Sequence, residues 1–532
     1  MQFSMPMFRP FVPEVVRPWI YVVIAFCIQL SGGLYLGALH EIVSSRQMLL
    51  EDVLMCLYCN LGGMSVYFPL LFRMKFRFTN KLLLTGSALT LAAMTICAAY
   101  APNLPTLWAC CTIAGFCKIQ GTFECMSNIQ LWITPKRDFR VFFPVLHIFI
   151  LGAMQVSDYV AAHVAYTWGW EEMHWIMTGI FMSIGLVLML LTRRVHIMPP
   201  MKLLGVDWIG GLLWLAWLLQ LAFVFCYGET YDWFHSPIIR NVTIGCGLTF
   251  VITILRSYLV RHPFISPEIW KTKRLVPTIV IVALAECCLA TEHVLEEVFY
   301  EEGMQYSNLV TAELDIWAFI GVITGCLFAL LWLKVLQLNT LRLVTVGFFL
   351  LAAYLIMFYT TLQTELNIEM LRLPIMARSI AYAVISAALM VLLEDIMTFQ
   401  TFFMALSVFN MAHMIIGGVI GAALYSRGLD HFMADNMVRY AQYFDHISMS
   451  QNHMSMGEMT EMFSKSMMVV SIKQLYGIVA YACIGIGMLL LLVKVPLIKR
   501  GYKRMQHWRD VGKRLAKRLI KEEIGTEKNE CA

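Results

Sequence analysis

Residues 174–194 read HWIMTGIFMSIGLVLMLLTRR, an apolar run preceded by Glu171 and Glu172 and closed by Arg193 and Arg194. A helix rising about 1.5 Å per residue needs roughly 20 apolar residues to cross a hydrocarbon core of about 30 Å, so this run suffices for one crossing. Its two ends differ in the sign of their charge. Working outward, thirteen further runs of the same kind predict spans near 18–40, 49–72, 80–100, 104–132, 141–165, 207–228, 238–258, 275–300, 308–333, 341–361, 374–396, 401–426 and 474–497. The chain reads as an all-α polytopic membrane protein with 14 transmembrane helices.

Composition agrees. Hydrophobic residues make up 59% of the 532 and charged ones 14%, against about 25% charged in a soluble domain. The mean hydropathy of +0.69 excludes a soluble multidomain enzyme. The first run follows Arg9 and Arg17 with no small-residue cleavage pattern after it, so it is expected to stay as a span.

Alternate connections are basic. One set carries Arg73, Lys75, Arg77 and Lys81, then Lys136, Arg137 and Arg140, then Arg193, Arg194 and Lys202, and later Arg256 to Arg274, Lys334 and Arg342. Together with both termini this side holds 30 of the 40 Lys and Arg residues, which predicts that it is cytoplasmic. The opposite connections are acidic: Glu171 and Glu172, Glu229 and Asp232, then Glu296, Glu297, Glu301 and Glu302. Beyond Lys499, Met505, Trp508, Val511, Leu515 and Leu519 recur at spacings of three and four, as in a basic amphipathic helix on an anionic leaflet or a plain anchor.

Two cytoplasmic linkers, Arg193 to Val206 and Arg256 to Arg274, bracket the seventh and eighth spans. The organisation is therefore a six-helix half over 1–192, linkers and two inserted helices over 193–274, and a second six-helix half over 275–498. That second half includes an external loop over 428–473, and a basic tail covers 499–532. No Rossmann or phosphate-cradling glycine loop occurs, which leaves an ion gradient as the energy source and no cofactor. The fifteen cysteines follow no zinc or disulfide spacing. In the external loop His453, Met454, Met456, Met459 and Met462 are soft ligands, yet in a chain with 36 Met they read as packing, and no metal site is assigned.

A charge at the bilayer centre costs about 2.5–3.5 kcal/mol, so each one inside a span needs a reason. Lys118 and Glu124 lie in the fourth span, His147, Gln155 and Asp158 in the fifth, Glu286 in the ninth, and Glu313 and Asp315 in the tenth. Arg378, Glu394 and Asp395 lie in the twelfth and Asn410 and His413 in the thirteenth, while Gln29 and Asn60 add polarity to the first two. The third, sixth, eleventh and fourteenth spans carry no charge until their ends. Such sorting suits a water-filled pathway.

This pattern resembles the major facilitator superfamily, and within it the fourteen-span drug:proton antiporters, in which two six-helix halves rock about a central cavity. The polar spans here are those that line the cavity in that family. Locally, Cys117-Lys118-Ile119-Gln120-Gly121 keeps the Gln and Gly of the family's Arg-x-x-Gln-Gly, and Pro69 to Arg77 keeps Leu and Arg of its loop motif. Gly152-Ala153 and Ser157-Asp158 stand at the antiporter Gly-Pro and Gly-Gly positions. Trp170 to Trp175, Asp207-Trp208-Ile209-Gly210-Gly211 and Arg261-His262-Pro263 match further family elements.

The resemblance implies the major facilitator fold in a 6+2+6 arrangement with both termini cytoplasmic. It also implies proton-coupled export of amphipathic or cationic small organic compounds across the inner (plasma) membrane. In a host with an outer membrane it further implies a periplasmic adaptor and an outer-membrane channel as partners. Asp158, Glu286 and Glu124 are the candidate proton carriers. Gln29, Asn60, Lys118, Gln120, His147, Gln155, Asn410 and His413 are candidates for the cavity wall, and Arg73, Arg77 and Arg378 for gating. Each has a plainer reading: a structural ion pair for Asp158, Lys118 and Arg378, hydrogen-bonded packing for Glu286, and a solvated mouth for Glu313, Asp315, Glu394 and Asp395. The rival functions are a dedicated exporter of one metabolite or lipid-like compound, and a membrane sensor that transports nothing.

Overall fold

The structure, a computed structural model, describes residues 5, 7–32, 37–135, 137–195, 205–441 and 455–493. The basic tail, Lys136, Pro199, Pro200, Lys202, His446, His453 and Met454 lie outside the described residues. Within them the chain is helical, and its only β pairing is a single bridge between Phe8 and Thr192. The helices are α1 (Arg17–Gln29), α2 (Leu39–Arg46), α3 (Leu50–Arg77), α4 (Asn80–Ala99), α5 (Leu104–Ile133), α6 (Phe139–Trp168) and α7 (Trp170–Leu191). There follow α8 (Trp208–Cys226), α9 (Pro237–Leu259), α10 (Leu275–Gly303), α11 (Asn308–Val335), α12 (Thr340–Thr361), α13 (Ile368–Ile396), α14 (Thr401–Tyr440) and α15 (Met456–Leu492).

Twelve of these are long and apolar enough to cross a membrane. Helix α5 is 30 residues long but carries Lys118, Gln120, Glu124, Asn128 and Gln130, and α1 has 13 residues. Helices thus occupy all fourteen predicted places in a multi-pass membrane protein. Their starts are written locally: Thr79 accepts from the Leu82 amide, Asn103 from Thr106 and Asp207 from Gly210, satisfying amide groups that have no partner within the helix.

Two boundaries differ from the sequence reading. The first span, expected as one helix over 18–40, stops at Gln29 in a tight turn over Leu30–Gly32 and resumes as α2. Ser31 and Gly32 disfavour helix, and Ser157 of α6 donates to the Leu30 carbonyl released there. The segment 428–473, expected as a loop, is helical to Tyr440 and again from Met456. A capping box at Ser455 and Glu458 starts α15, and Asn436 ties it to α14 through Ser471 (2.9 Å) and Gln474 (3.0 Å). At about 60 Å and 55 Å, α14 and α15 are longer than a bilayer is thick, so they project beyond it.

Helices α1–α7 form one group and α10–α15 another. Helices α8 and α9 pack together and lean on both groups: Gly62 of α3 lies near Leu215 and Leu219 of α8 and Met414 of α14. At their acidic end the Tyr227 hydroxyl donates to Asp52. At the basic end Arg256 grips Asp207 through two nitrogens, at 2.7 and 3.0 Å. Tyr227→Phe leaves a buried carboxylate oxygen short of its donor and is expected to cost about 1–2 kcal/mol, read as a lower melting temperature in detergent; an unchanged melt would remove this contact as an anchor. Close packing within the first group depends on Gly115, where an added Cβ would sit 2.1 Å from the Asn60 carbonyl oxygen.

Candidate functional site

The two groups meet along α6 and α11. Helix α6 begins at the basic end and α11 at the acidic end, so they run antiparallel. Gly152 of α6 faces the Phe319 ring, which would lie 2.9 Å from an added Cβ. Six residues, about 9 Å, further along α6 is Asp158, and four residues, about 6 Å, back along α11 is Asp315, so both carboxylates lie on the acidic side of this contact at similar depth. Asp158 has Asp315 and Glu292 of the second group and Lys118 of α5 as its charged neighbours. Its Oδ1 is enclosed with no hydrogen-bond partner, and so is Oε1 of Gln155, one turn before it. Lys118 is 6% exposed and makes no hydrogen bond or ion pair among the described residues.

Beside this pair is an ion triad, with Arg378 and Glu296 buried and Glu292 partly so. Arg378 of α13 pairs with Glu292 at 2.7 Å and with Glu296. Glu296 is 2% exposed and also accepts from Tyr354 (2.7 Å) and Tyr300 (3.0 Å). This corrects the placement of Glu296 in an external loop: α10 continues to Gly303 through two wide π turns, Glu292–Glu296 and Phe299–Gly303. Arg378 therefore finds its partners on α10 rather than at Glu313, Asp315, Glu394 or Asp395. The missed signal was the spacing of Glu292, Glu296 and Tyr300, four apart on one helical face. Of the expected mouth acids, Glu313 is exposed and Asp315 half-buried at the interface.

A second pair lies nearer the middle of the second group. Glu286 of α10 and Nδ1 of His413 of α14 are 2.7 Å apart, uniting a candidate carrier with a candidate wall residue. His413 opens a π-helical stretch, His413–Ile420, a geometry often found at functional sites. Nδ1 of His147 on α6 donates to the Phe143 carbonyl at 2.8 Å. That bond leaves Nε2 as the ring's remaining polar atom, within electrostatic reach of His413.

The other predicted residues are held in packing bonds. Gln29 donates to Thr122 Oγ1 at 2.8 Å, and Asn60 to the Cys111 carbonyl at 3.2 Å. Glu124 accepts from Lys75 (3.2 Å), Asn80 (2.8 Å) and Gln120 (3.2 Å), forming a network near the basic end. Asn410 crosses between the groups to Ser65 Oγ at 2.6 Å, with Ser407 donating to the Ser65 carbonyl at 2.7 Å. Arg73 is half-buried and Arg77 exposed; neither forms an ion pair among the described residues. No cluster of three metal-ligating side chains occurs among the described residues.

Both ends of the interface are latched. At the basic end Lys334 pairs with Asp138, Arg140 with Asp395 at 3.6 Å, and Phe403 packs edge-on against Phe72 and Phe123 at centroid distances of 4.5 and 5.6 Å. At the acidic end Asn308 donates to the Gly37 carbonyl at 3.0 Å and to Glu41 at 3.2 Å. The central charges are therefore enclosed between two sets of contacts that each join the halves.

No protein-family model matches the chain, and no curated protein matches it in sequence. Solved structures do resemble it. A mutant of the nucleoside transporter NupG aligns with a TM-score of 0.51 at 13% identity, covering 88% of this chain and 98% of its own. The human organic anion transporter MFSD10 aligns at 0.50 and 11%, covering 89% and 100%. An auto-inhibited peptide transporter of the POT family aligns at 0.50 and 12%, covering 87% and 96%. At such identities the likeness speaks for the fold alone, and that fold, two helix groups closing on a charged centre, is the major facilitator fold.

Proposed function

We propose that this chain is a proton-coupled secondary transporter of the inner (plasma) membrane that exports small organic compounds by alternating access. It crosses the bilayer fourteen times with both termini cytoplasmic. The observation that carries the reading is the set of charges enclosed between the halves, with Asp158, Asp315 and Lys118 lacking ion-pair partners among the described residues and a latch at either end. Charges so placed are costly in a helix that only faces lipid, and they are explained where water and a substrate reach them. Opening one latch while the other holds exposes the centre to one side at a time. Asp158, or Glu286 released from His413, exchanges a proton for substrate.

Amphipathic or cationic cargo fits the excess of carboxylates. A second reading, export of one defined polar metabolite, is favoured by Lys118, since an unpaired ammonium in the centre repels a lipophilic cation. Nucleosides, organic anions and peptides, the cargo of the structural neighbours, are of that polar kind.

The test is flux in proteoliposomes under an imposed pH gradient, with wild type beside Asp158→Asn and Glu286→Gln. Loss of about tenfold or more of gradient-driven flux is expected in at least one variant, with downhill exchange retained in Glu286→Gln. Unchanged flux in both would remove these residues as carriers, and no flux in wild type with cations, anions or zwitterions would favour a sensor.

A further inference from the structure

We infer that the central site takes a zwitterion, with its anionic group on Lys118 and its ammonium on Asp158 and Gln155. The inference names the cargo of the transporter proposed above and rests on its central site, not on its coupling to protons.

Two unmet needs of opposite kind lie in this one place. Lys118 offers three N–H donors, is 6% exposed, and bonds to nothing among the described residues. Its stem is packed while its ammonium has no protein acceptor among them, so a ligand anion meets no competing partner there. Across from it, Gln155 Oε1 and Asp158 Oδ1 are enclosed acceptors without donors, three residues apart on one face of α6. Lys118 is fourteen residues from the start of α5 and Gln155 thirteen from the end of α6, both counted from the acidic end. They lie about 21 and about 20 Å in, at matching depth. Lys118 and Asp158 feel each other's charge yet form no ion pair, so their charged ends are not in contact, and the ligand is placed between them.

The neighbouring charges fix the direction of a ligand in that gap. Asp315 and Glu292 stand on the Asp158 side, where they repel a carboxylate and attract an ammonium. Arg378 is spent on Glu292 and Glu296, and His413 faces Glu286, so neither is free to hold the anion. Lys118 is left as the anion's partner. A simple organic cation would satisfy the carboxylates but leave Lys118 facing a charge of its own sign. A simple anion would leave Asp158 and Asp315 unmet. A proton on Asp158 supplies nothing to Lys118. A molecule with both charges, of the amino-acid or short-peptide type, meets every group at once.

The experiment measures equilibrium binding to the purified full chain in detergent, by calorimetry, with three probes sharing one skeleton: phenylalanine, phenethylamine and 3-phenylpropanoate. Phenylalanine is expected to bind at least about tenfold tighter than either single-charge analogue, each charged hydrogen bond being worth about that factor. In Lys118→Gln the affinities for phenylalanine and phenethylamine should converge. In Asp158→Asn those for phenylalanine and 3-phenylpropanoate should converge. Lys118→Arg, which keeps the charge and guards against a folding defect, should retain the wild-type order. Phenethylamine binding as tightly as phenylalanine to wild type overturns the proposal. So does the absence of binding by every α-amino acid from glycine to tryptophan and their dipeptides. Binding is read without a gradient, so a chain that binds the zwitterion and moves nothing keeps this site and loses the transport reading instead.

Discussion

Arg378→Ala should destabilise the protein by about 3–5 kcal/mol, because it strands two carboxylates that share one guanidinium. Glu296 is 2% exposed and would keep only the hydroxyls of Tyr354 and Tyr300. Neither donor neutralises a charge. The interaction is a network rather than a surface pair, since Arg378 is itself 6% exposed and bonds Glu292 and Glu296 together. The reverse change is expected to be milder: Glu296→Gln keeps both tyrosine contacts and leaves Arg378 its partner at Glu292. Thermal unfolding in detergent should rank the variants as wild type, then Glu296→Gln, then Arg378→Ala. Combining the two should recover part of the loss, because the stranded buried charge is then gone. A melt of Arg378→Ala within about 1 kcal/mol of wild type would mean that water reaches the triad, and with it that the acidic latch stands open.

The second large effect is expected at Gly417. A Cβ added there would fall 1.9 Å from the Cβ of Glu286 and 3.0 Å from its Cα and carbonyl carbon. Both Cβ atoms are fixed to their backbones, so no rotamer relieves the overlap and α10 must move away from α14. Overpacking of this kind costs about 1–3 kcal/mol. Separation would also break the 2.7 Å contact of Glu286 with His413, four residues before Gly417. Gly417→Ala should therefore lower both the melting temperature and the flux, in the manner of Glu286→Gln. Gly179→Ala is the matched control: nothing lies within 4 Å of its added Cβ, and in a helix the change is expected to be neutral or slightly stabilising. Equal melts for the two alanine variants would contradict the close approach of α10 and α14.

Some of this site was legible from residue order alone. Lys118, Asp158, Glu286, Arg378 and His413 stood out because a charge in an apolar run is conspicuous. Pairing was not legible, because the partners come from helices far apart in sequence. Glu286 and His413 looked like separate features until α14, narrowed at Gly417, came against α10. Glu296 reads as a loop residue because four glutamates at the end of a span, Glu296, Glu297, Glu301 and Glu302, resemble a polar connection. Only the continuation of α10 through two π turns carries Glu292 and Glu296 back to Arg378. Glu124, expected as a proton carrier, and Gln29 and Asn60, expected in the cavity wall, each make a hydrogen bond within their own half that residue order does not show.

By itself the sequence determined the class of protein, the places of most of its helices, and which of them carry charge. Those follow from local quantities: the length of an apolar run, the sign of its flanks and the cap at its start. Tertiary structure decided which charges are satisfied and which are left open. That is a property of two helices at once, set by where glycines and wide turns let backbones approach. By that criterion Arg378, Glu296 and Glu286 are tied to partners of this chain, and Lys118, Gln155 Oε1 and Asp158 Oδ1 have none among the described residues.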